Sequence, residues 1–164
     1  MNKKIVFISI LIVAILISSC KKKNVLEEII PNVEMTAKIN GVSWKAVARV
    51  TRITSGNIII TGTGETSGEK IINITVFSTN EGTYKLDLNP LSLKNEFTAS
   101  YNPKISTLSD SSYAANSGTV VISKIDISSK KISGTFSFSS KRVSSPVPTL
   151  EVTEGSFSNL LYTD

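Results

Sequence analysis

The sequence predicts a single all-β domain, arranged as an antiparallel β-sandwich or a flattened up-and-down (calycin-like) barrel of about nine or ten strands. First, apolar and polar residues alternate with a period of two in many short segments. Second, turn-forming residues such as Asn40-Gly41 separate these segments by short connections. Third, Ser and Thr make up roughly a quarter of the chain, and no segment after the N-terminal apolar run shows helical periodicity.

The first strands are marked by alternation and by turns. Alternation begins at Val33, and Asn40-Gly41 then predicts a hairpin, because a type I′ turn needs positive φ at both central residues. A second strand, residues 42–53, is expected to place four apolar residues on one face: Trp44, Ala46, Ala48 and Val50. Further strands are predicted at residues 58–63, 70–78, 83–86 and 97–101.

The last third of the sequence is the most regular. Residues 102–117 are rich in Ser and Asn and predict an irregular loop with one short strand at Tyr113-Ala114. Strands follow at residues 118–127, 132–138 and 152–161, and we expect Phe157 and Leu161 of the last strand to point inward. Short connections between successive strands favour sequential antiparallel pairing.

The first twenty residues predict a targeting segment. Lys3 and Lys4 precede an apolar run over residues 5–17, which is shorter than the about 20 residues that span a bilayer. The next residues, Ser18, Ser19 and Cys20, complete a segment that resembles the lipobox of bacterial lipoproteins. The resemblance implies cleavage between Ser19 and Cys20 and a lipid on the Cys20 sulfur.

The predicted organisation is a signal peptide at residues 1–19, a lipidated N-terminus and tether at 20–32, and an all-β domain at 33–164. Stable anchoring needs two or more acyl chains, as a lipidated cysteine provides. The alternative is an ordinary signal peptide or an N-terminal membrane helix in which Cys20 has no special role. The resemblance to bacterial lipoproteins further implies that lysine rather than aspartate at position 21 favours the outer membrane. It also implies that the basic Lys21 to Lys23 favour the periplasmic face, because related lipoproteins exported to the surface tend to have acidic residues there.

Charge and composition exclude several classes of function. The chain has 18 Lys and Arg against 13 Asp and Glu, but Lys3 and Lys4 belong to the signal, so the remaining excess is small. No basic stripe with interleaved aromatic residues is present, so we expect no nucleic-acid binding. The chain has no histidine, which removes the commonest general base and metal ligand.

The motifs that resemble catalytic signatures have ordinary explanations. Gly62-x-Gly64-x-x-x-Gly68 departs from the dinucleotide-binding spacing and precedes a predicted strand, where that motif needs a helix. Ser128-x-x-Lys131 lies in a predicted turn and lacks the partner motifs of serine acyl enzymes. We therefore expect no catalytic residue, no cofactor and no metal, and we expect the single tryptophan to be a core residue rather than a sugar platform.

Four stretches of the sequence carry a wider resemblance to a known group of proteins. They are residues 35–41 with Trp44, residues 82–84, residues 132–138 and residues 153–157. Together they are similar to small lipoproteins of Gram-negative bacteria that contain a β-rich domain of unknown function. The resemblance implies no activity and no site residue. The expected function is a membrane-anchored, non-enzymatic binding or envelope-interaction module whose partner is an envelope protein or a glycan. The alternative is a periplasmic carrier of a lipid or a small apolar ligand inside a β-barrel.

Overall fold

The computed structural model describes residues 33–64, 69–91, 93–104, 112–142 and 149–164. Within these residues the chain forms strands and turns without a helix, and therefore no described helix could cross a membrane. The strands are β1 Glu34–Ile39, β2 Val42–Lys45, β3 Ala48–Thr54, β4 Asn57–Thr63, β5 Glu69–Val76, β6 Gly82–Asp87, β7 Lys94–Asn95, β8 Phe97–Lys104, β9 Tyr113–Asp126, β10 Lys131–Arg142 and β11 Thr149–Leu161.

All these strands belong to one curled antiparallel sheet, which confirms the predicted fold class. The order is β2-β1-β11-β10-β9-β8-β5-β4-β3, and β6 pairs with both β9 and β7 beside this path. Thr163, two residues after the end of β11, connects that end of the strand to β3, because Ile53 N donates to Thr163 O at 2.9 Å and Thr163 N donates to Thr51 O at 3.1 Å. The curled half-barrel is consistent with both the sandwich and the barrel alternatives.

The concave side of the sheet carries the hydrophobic core. Alternating residues from nearly every strand point into it, as the period-two pattern predicts. Phe97, Phe157 and Met35 are among its largest fully buried side chains. Each fully buried apolar side chain contributes about 1.5–3 kcal/mol, so this packed interior supplies most of the stability of the domain.

The predicted second strand is in fact two strands, and the assignment of Ala48 and Val50 to the face of Trp44 was wrong. Trp44 and Ala46 are buried, but Ala48 and Val50 are exposed and Thr51 points inward. The chain turns a corner between β2 and β3, where Ala46 N still bonds to β1 while the next amide, in Val47, bonds to β4. This change of neighbour reverses which residues face the core.

The prediction that Leu161 points inward was also wrong. Leu161 is 65% exposed, while Leu160 is 1% exposed. Strand β11 has an extra residue at two places relative to β10, and Glu154 and Asn159 have φ near +50° at these bulges. Each bulge moves the inward position by one residue, so Phe157 is inward as predicted but the next inward side chain is Leu160.

Strand β9 is longer than predicted. Tyr113-Ala114 are in a strand as predicted, but residues 115–117, expected to be irregular, join them without a break to the predicted strand at 118–127. Pairing with β10 extends along the whole of β9, and a register shift at Asn116 accommodates its polar first part. The structure describes eleven strands where nine or ten were predicted. The split of the second strand and the short β7 each add a strand, whereas the merged β9 removes one.

Candidate binding surface

The outer face of the sheet has two adjoining grooves where β11 meets its neighbours. The groove over β1 and β2 has a volume of about 380 Å³, and the groove over β9 and β10 has about 360 Å³. Glu154 borders both. The other residues at the grooves are mainly hydroxyl-bearing or charged: Thr36, Lys38, Ser43, Lys45, Thr119, Thr135, Ser137 and Ser156.

A bulge in β11 positions the side chain between the two grooves. Glu154 has φ of 50°, a left-handed conformation that is uncommon for a residue other than glycine, asparagine or aspartate. Bulges commonly re-aim a side chain at functional surfaces. Here Lys38 Nζ on β1 donates to Glu154 Oε1 at 2.8 Å, and both side chains stay exposed. The bulge therefore presents a carboxylate and an ammonium group side by side to solvent.

Hydroxyl groups and a second ion pair continue this surface along β1. The hydroxyls of Thr36 and Ser156 lie 3.0 Å apart across the β1–β11 pairing, and Lys45 Nζ donates to Glu34 Oε1. Hydroxyls, carboxylates and ammonium groups offer both donors and acceptors. The surface can therefore form hydrogen bonds to a polar partner, such as sugar hydroxyls or backbone amides.

A smaller cavity lies where the edge of β2 approaches β5 and β8. Its volume is about 120 Å³, and its walls include Ile39, Val42, Trp44 and Tyr101. Burial raises the pKa of the Tyr101 phenol, and neighbouring Tyr113 raises it further. The phenol therefore stays neutral at physiological pH, and the cavity presents mainly apolar and aromatic surface.

The glycines at 62 and 64 make room for the tryptophan. Trp44 is 5% exposed, and its Nε1 donates to Lys70 O at 2.7 Å. A Cβ at Gly62 would lie 2.7 Å from Trp44 Cη2, and one at Gly64 would lie 2.7 Å from Trp44 Nε1. This geometry confirms the prediction that Trp44 is a core residue, and it gives Gly62-x-Gly64 a packing role. Gly68 lies outside the described residues.

The other predicted features do not form a catalytic group in the part that the structure describes. Ser128 lies in the β9–β10 turn, where its Oγ donates to Asp126 Oδ1 at 2.7 Å, and Lys131 begins β10. This bond and the one that the Ser129 backbone amide donates at 3.0 Å hold the pKa of Asp126 well below its usual range. The Ser-x-x-Lys residues are thus part of a hydrogen-bonded turn.

The two glutamates at the start of β11 have different hydrogen-bond partners. Glu151 accepts a hydrogen bond from Ser139 Oγ at 2.6 Å, whereas Glu154 pairs with Lys38. Across the described ranges, no three acidic, histidine or cysteine residues cluster in a way that could hold a metal. The predicted cleavage and lipidation residues, Ser19 and Cys20, lie outside the described residues.

The sequence prediction missed the groove itself. It assigns no role to Glu154, Thr36 or Lys38. The available signal was the polar half of the alternation in β1, which places Glu34, Thr36 and Lys38 on one outward face. The partners of these residues on β11 are more than 100 positions away in the sequence.

Comparison with known proteins identifies the domain without assigning an activity. Residues 32–161 match the model of a domain of unknown function, DUF6252. No curated protein and no solved structure matches the chain significantly. Because the match covers most of the chain and its β-rich part, this protein belongs to the DUF6252 family.

Proposed function

We propose that this protein is a bacterial lipoprotein, anchored in the outer membrane by a lipid on Cys20, with its β domain on the periplasmic side. In this proposal the β domain is a non-enzymatic binding module for an envelope protein or a glycan. The family domain covers residues 32–161 and leaves the lipobox-like residues outside it. That arrangement is the one expected of an anchor followed by a folded module.

The observation that carries the binding proposal is the contrast between the two faces of the sheet. Phe97, Phe157 and Met35 fill the concave side, whereas the grooves beside Glu154, which are bordered by many hydroxyl-bearing and charged residues, lie open on the outer side. A polar partner would replace hydration of these exposed groups by hydrogen bonds and would exclude water from the Lys38–Glu154 pair. The outer face is therefore the surface that we propose for partner binding.

Site-specific crosslinking in cells tests this binding surface. A photoreactive amino acid at Ser43 would lie at the groove, and the same amino acid at Lys124 on β9 is the matched exposed control. We expect crosslinks to an envelope protein or to glycan material at Ser43 that are absent at Lys124. Equal labelling at both positions, or none at Ser43, would count against the groove.

The anchor has an independent test. Cells that express the wild-type protein and are fed labelled palmitate should incorporate the label, whereas the Cys20→Ala variant should not. The variant should also leave the membrane fraction, because one acyl chain or none does not give stable anchoring. Palmitate on the Cys20→Ala protein would contradict the assignment of Cys20.

One observation favours the carrier alternative, namely the cavity beside Trp44 and Tyr101. Its volume of about 120 Å³ is close to that of cavities that bind benzene-sized molecules, about 150 Å³. A small apolar ligand fits this volume better than an acyl chain does. Native mass spectrometry of the Cys20→Ser protein would reveal a retained small molecule, whereas a bare protein mass would argue against the carrier.

A further inference from the structure

Three leucines stand exposed on the connection between β6 and β7. Leu88 is 48% exposed, Leu91 is 95% exposed and Leu93 is 69% exposed. We call these three residues the leucine loop. Other exposed apolar side chains occur, such as Ile127 in the β9–β10 turn, but single exposed residues of this kind are ordinary. Three leucines within six positions form a denser apolar surface.

Hydrogen bonds to Asn89 and Asp87 hold the described backbone of this connection, which excludes residue 92. Asn89 N donates to Asp87 Oδ1 at 2.9 Å, and Leu91 N donates to Asn89 Oδ1 at 3.1 Å. Leu93 N donates to Asn89 O at 3.0 Å, although Leu93 has φ of 37°. A leucine in the left-handed region is costly and needs support from its surroundings. The leucines are thus presented by a defined backbone conformation.

The charges beside the loop are balanced. Lys85 and Lys94 flank it in β6 and β7, and Asp87 and Glu96 lie at similar distances along the chain. A polybasic segment would be attracted to anionic headgroups, but this region has no net charge. Any docking of the loop must therefore come from burial of the leucine side chains.

We infer that the leucine loop inserts into the bilayer that holds the lipid on Cys20 and so orients the domain on the membrane. The inference rests on the proposed anchor. The twelve residues 21–32 reach at most about 40 Å, which is comparable to the diameter of a domain of this size. The tether would thus keep the loop within reach of the bilayer at high effective concentration without fixing an orientation. A projecting loop can be surrounded by acyl chains on all sides.

Fluorescence in reconstituted vesicles tests this inference. The lipidated full-length protein carries no other thiol once Cys20 is modified, so Leu91→Cys can take an environment-sensitive label. Ile127→Cys, also at an exposed apolar position in a turn, is the matched control. Leu91 is almost fully exposed, so its replacement removes no packed contact. The vesicles are phosphatidylcholine, with or without phosphatidylglycerol and with nitroxide-labelled acyl chains.

We expect the label at position 91 to shift its emission to the blue and to be quenched by the nitroxide lipids. The label at position 127 should show neither change. Added phosphatidylglycerol should leave the quenching unaltered, because the charges near the loop balance. Quenching that appears only with phosphatidylglycerol would show that charge drives membrane docking of the loop, and it would overturn burial of the leucine side chains as the cause of docking.

The failure of this inference is separable from the failure of the anchor. A protein that carries lipid on Cys20 by mass and stays on vesicles, but whose label at position 91 remains in water, would overturn the inference alone. A blue shift without nitroxide quenching would indicate a protein contact, including a second copy, and would also overturn it. Absence of lipid on Cys20 would refute the anchor and this inference together.

Discussion

Substitution of Gly62 by alanine would test whether the core is packed as tightly as the structure indicates. The new Cβ would lie 2.6 Å from Met35 Sδ, 2.7 Å from Trp44 Cη2 and 3.3 Å from Ala46 Cβ. The end of the methionine side chain can move. The indole has little freedom to do so, because its Nε1 is bonded to Lys70 O and its ring is buried. The strain against the indole should therefore be released through a shift of the β4 backbone.

The expected cost is a net loss of about 1–2 kcal/mol in the free energy of unfolding. Overpacking of a filled core costs about 1–3 kcal/mol. Alanine also reduces the entropy of the unfolded chain relative to glycine, which returns about 0.4–1 kcal/mol. Urea unfolding followed by far-ultraviolet circular dichroism measures the difference. The fluorescence of Trp44, the single tryptophan, reports the same transition in both proteins.

A double-mutant cycle with Trp44→Phe supplies the control. Phenylalanine lacks the second ring that carries Cη2, so Gly62→Ala should be less costly in the Trp44→Phe background. We expect a coupling free energy of about 0.5 kcal/mol or more between the two substitutions. A Gly62→Ala protein within about 0.5 kcal/mol of wild type, or costs that simply add, would refute the proposed contact.

Three further predictions concern hydrogen bonds and charges. Asp126→Asn should lower Tm at neutral pH, because the folded-state pKa of Asp126 is depressed. The difference in Tm between wild type and variant should persist above about pH 4. It should shrink as the pH falls towards the lower folded-state pKa. Ser140→Ala should lose about 1 kcal/mol in urea unfolding, because the buried hydroxyl donates to Leu150 O at 3.0 Å. A double-mutant cycle of Lys38→Ala and Glu154→Ala should give a coupling free energy of less than about 1 kcal/mol, because both side chains are exposed. This coupling should fall with added salt. A larger coupling that does not depend on salt would contradict the prediction.

The hairpin turns and the strands with unbroken alternation of apolar and polar residues could be predicted from the sequence. The Asn40-Gly41 and Ser55-Gly56 turns have positive φ at both positions, as two-residue hairpin turns require. In β10, Ile132, Phe136 and Phe138 face inward, as strict alternation predicts. In such segments the local pattern and the final packing require the same arrangement.

The elements that were mispredicted depend on interactions between distant strands. Nothing near Glu154 or Asn159 marks a bulge, because both extra residues exist only in relation to the neighbouring strands. The corner after Lys45 has the same origin, since the chain there exchanges β1 for β4 as its neighbour. One inserted residue or one corner reverses the inward face, so the errors at Val50 and Leu161 follow directly.

The candidate binding surface could be predicted only in part, for a related reason. The outward residues of β1 can be read from alternation, and so can most of those of β10. Their assembly into a groove requires β11 to lie between β1 and β10, which the sequence does not specify. The Thr36–Ser156 and Lys38–Glu154 contacts both cross that interface.

The pairing of glycines with aromatic rings bears on where the domain can bind. Besides the contact of Gly62 and Gly64 with the indole, a Cβ at Gly134 would lie 2.6 Å from the Phe157 ring, and one at Gly155 would lie 2.5 Å from the Phe136 ring. Backbone oxygens lie closer still, Val121 O at 2.1 Å from the Cβ at Gly134 and Phe136 O at 2.4 Å from the one at Gly155, so ring and backbone together fill the space beside each of these two glycines. An interior filled in this way leaves little volume for a ligand without displacement of a ring. For that reason we propose the outer grooves and the leucine loop, rather than the interior, as the places where this domain would bind its partners.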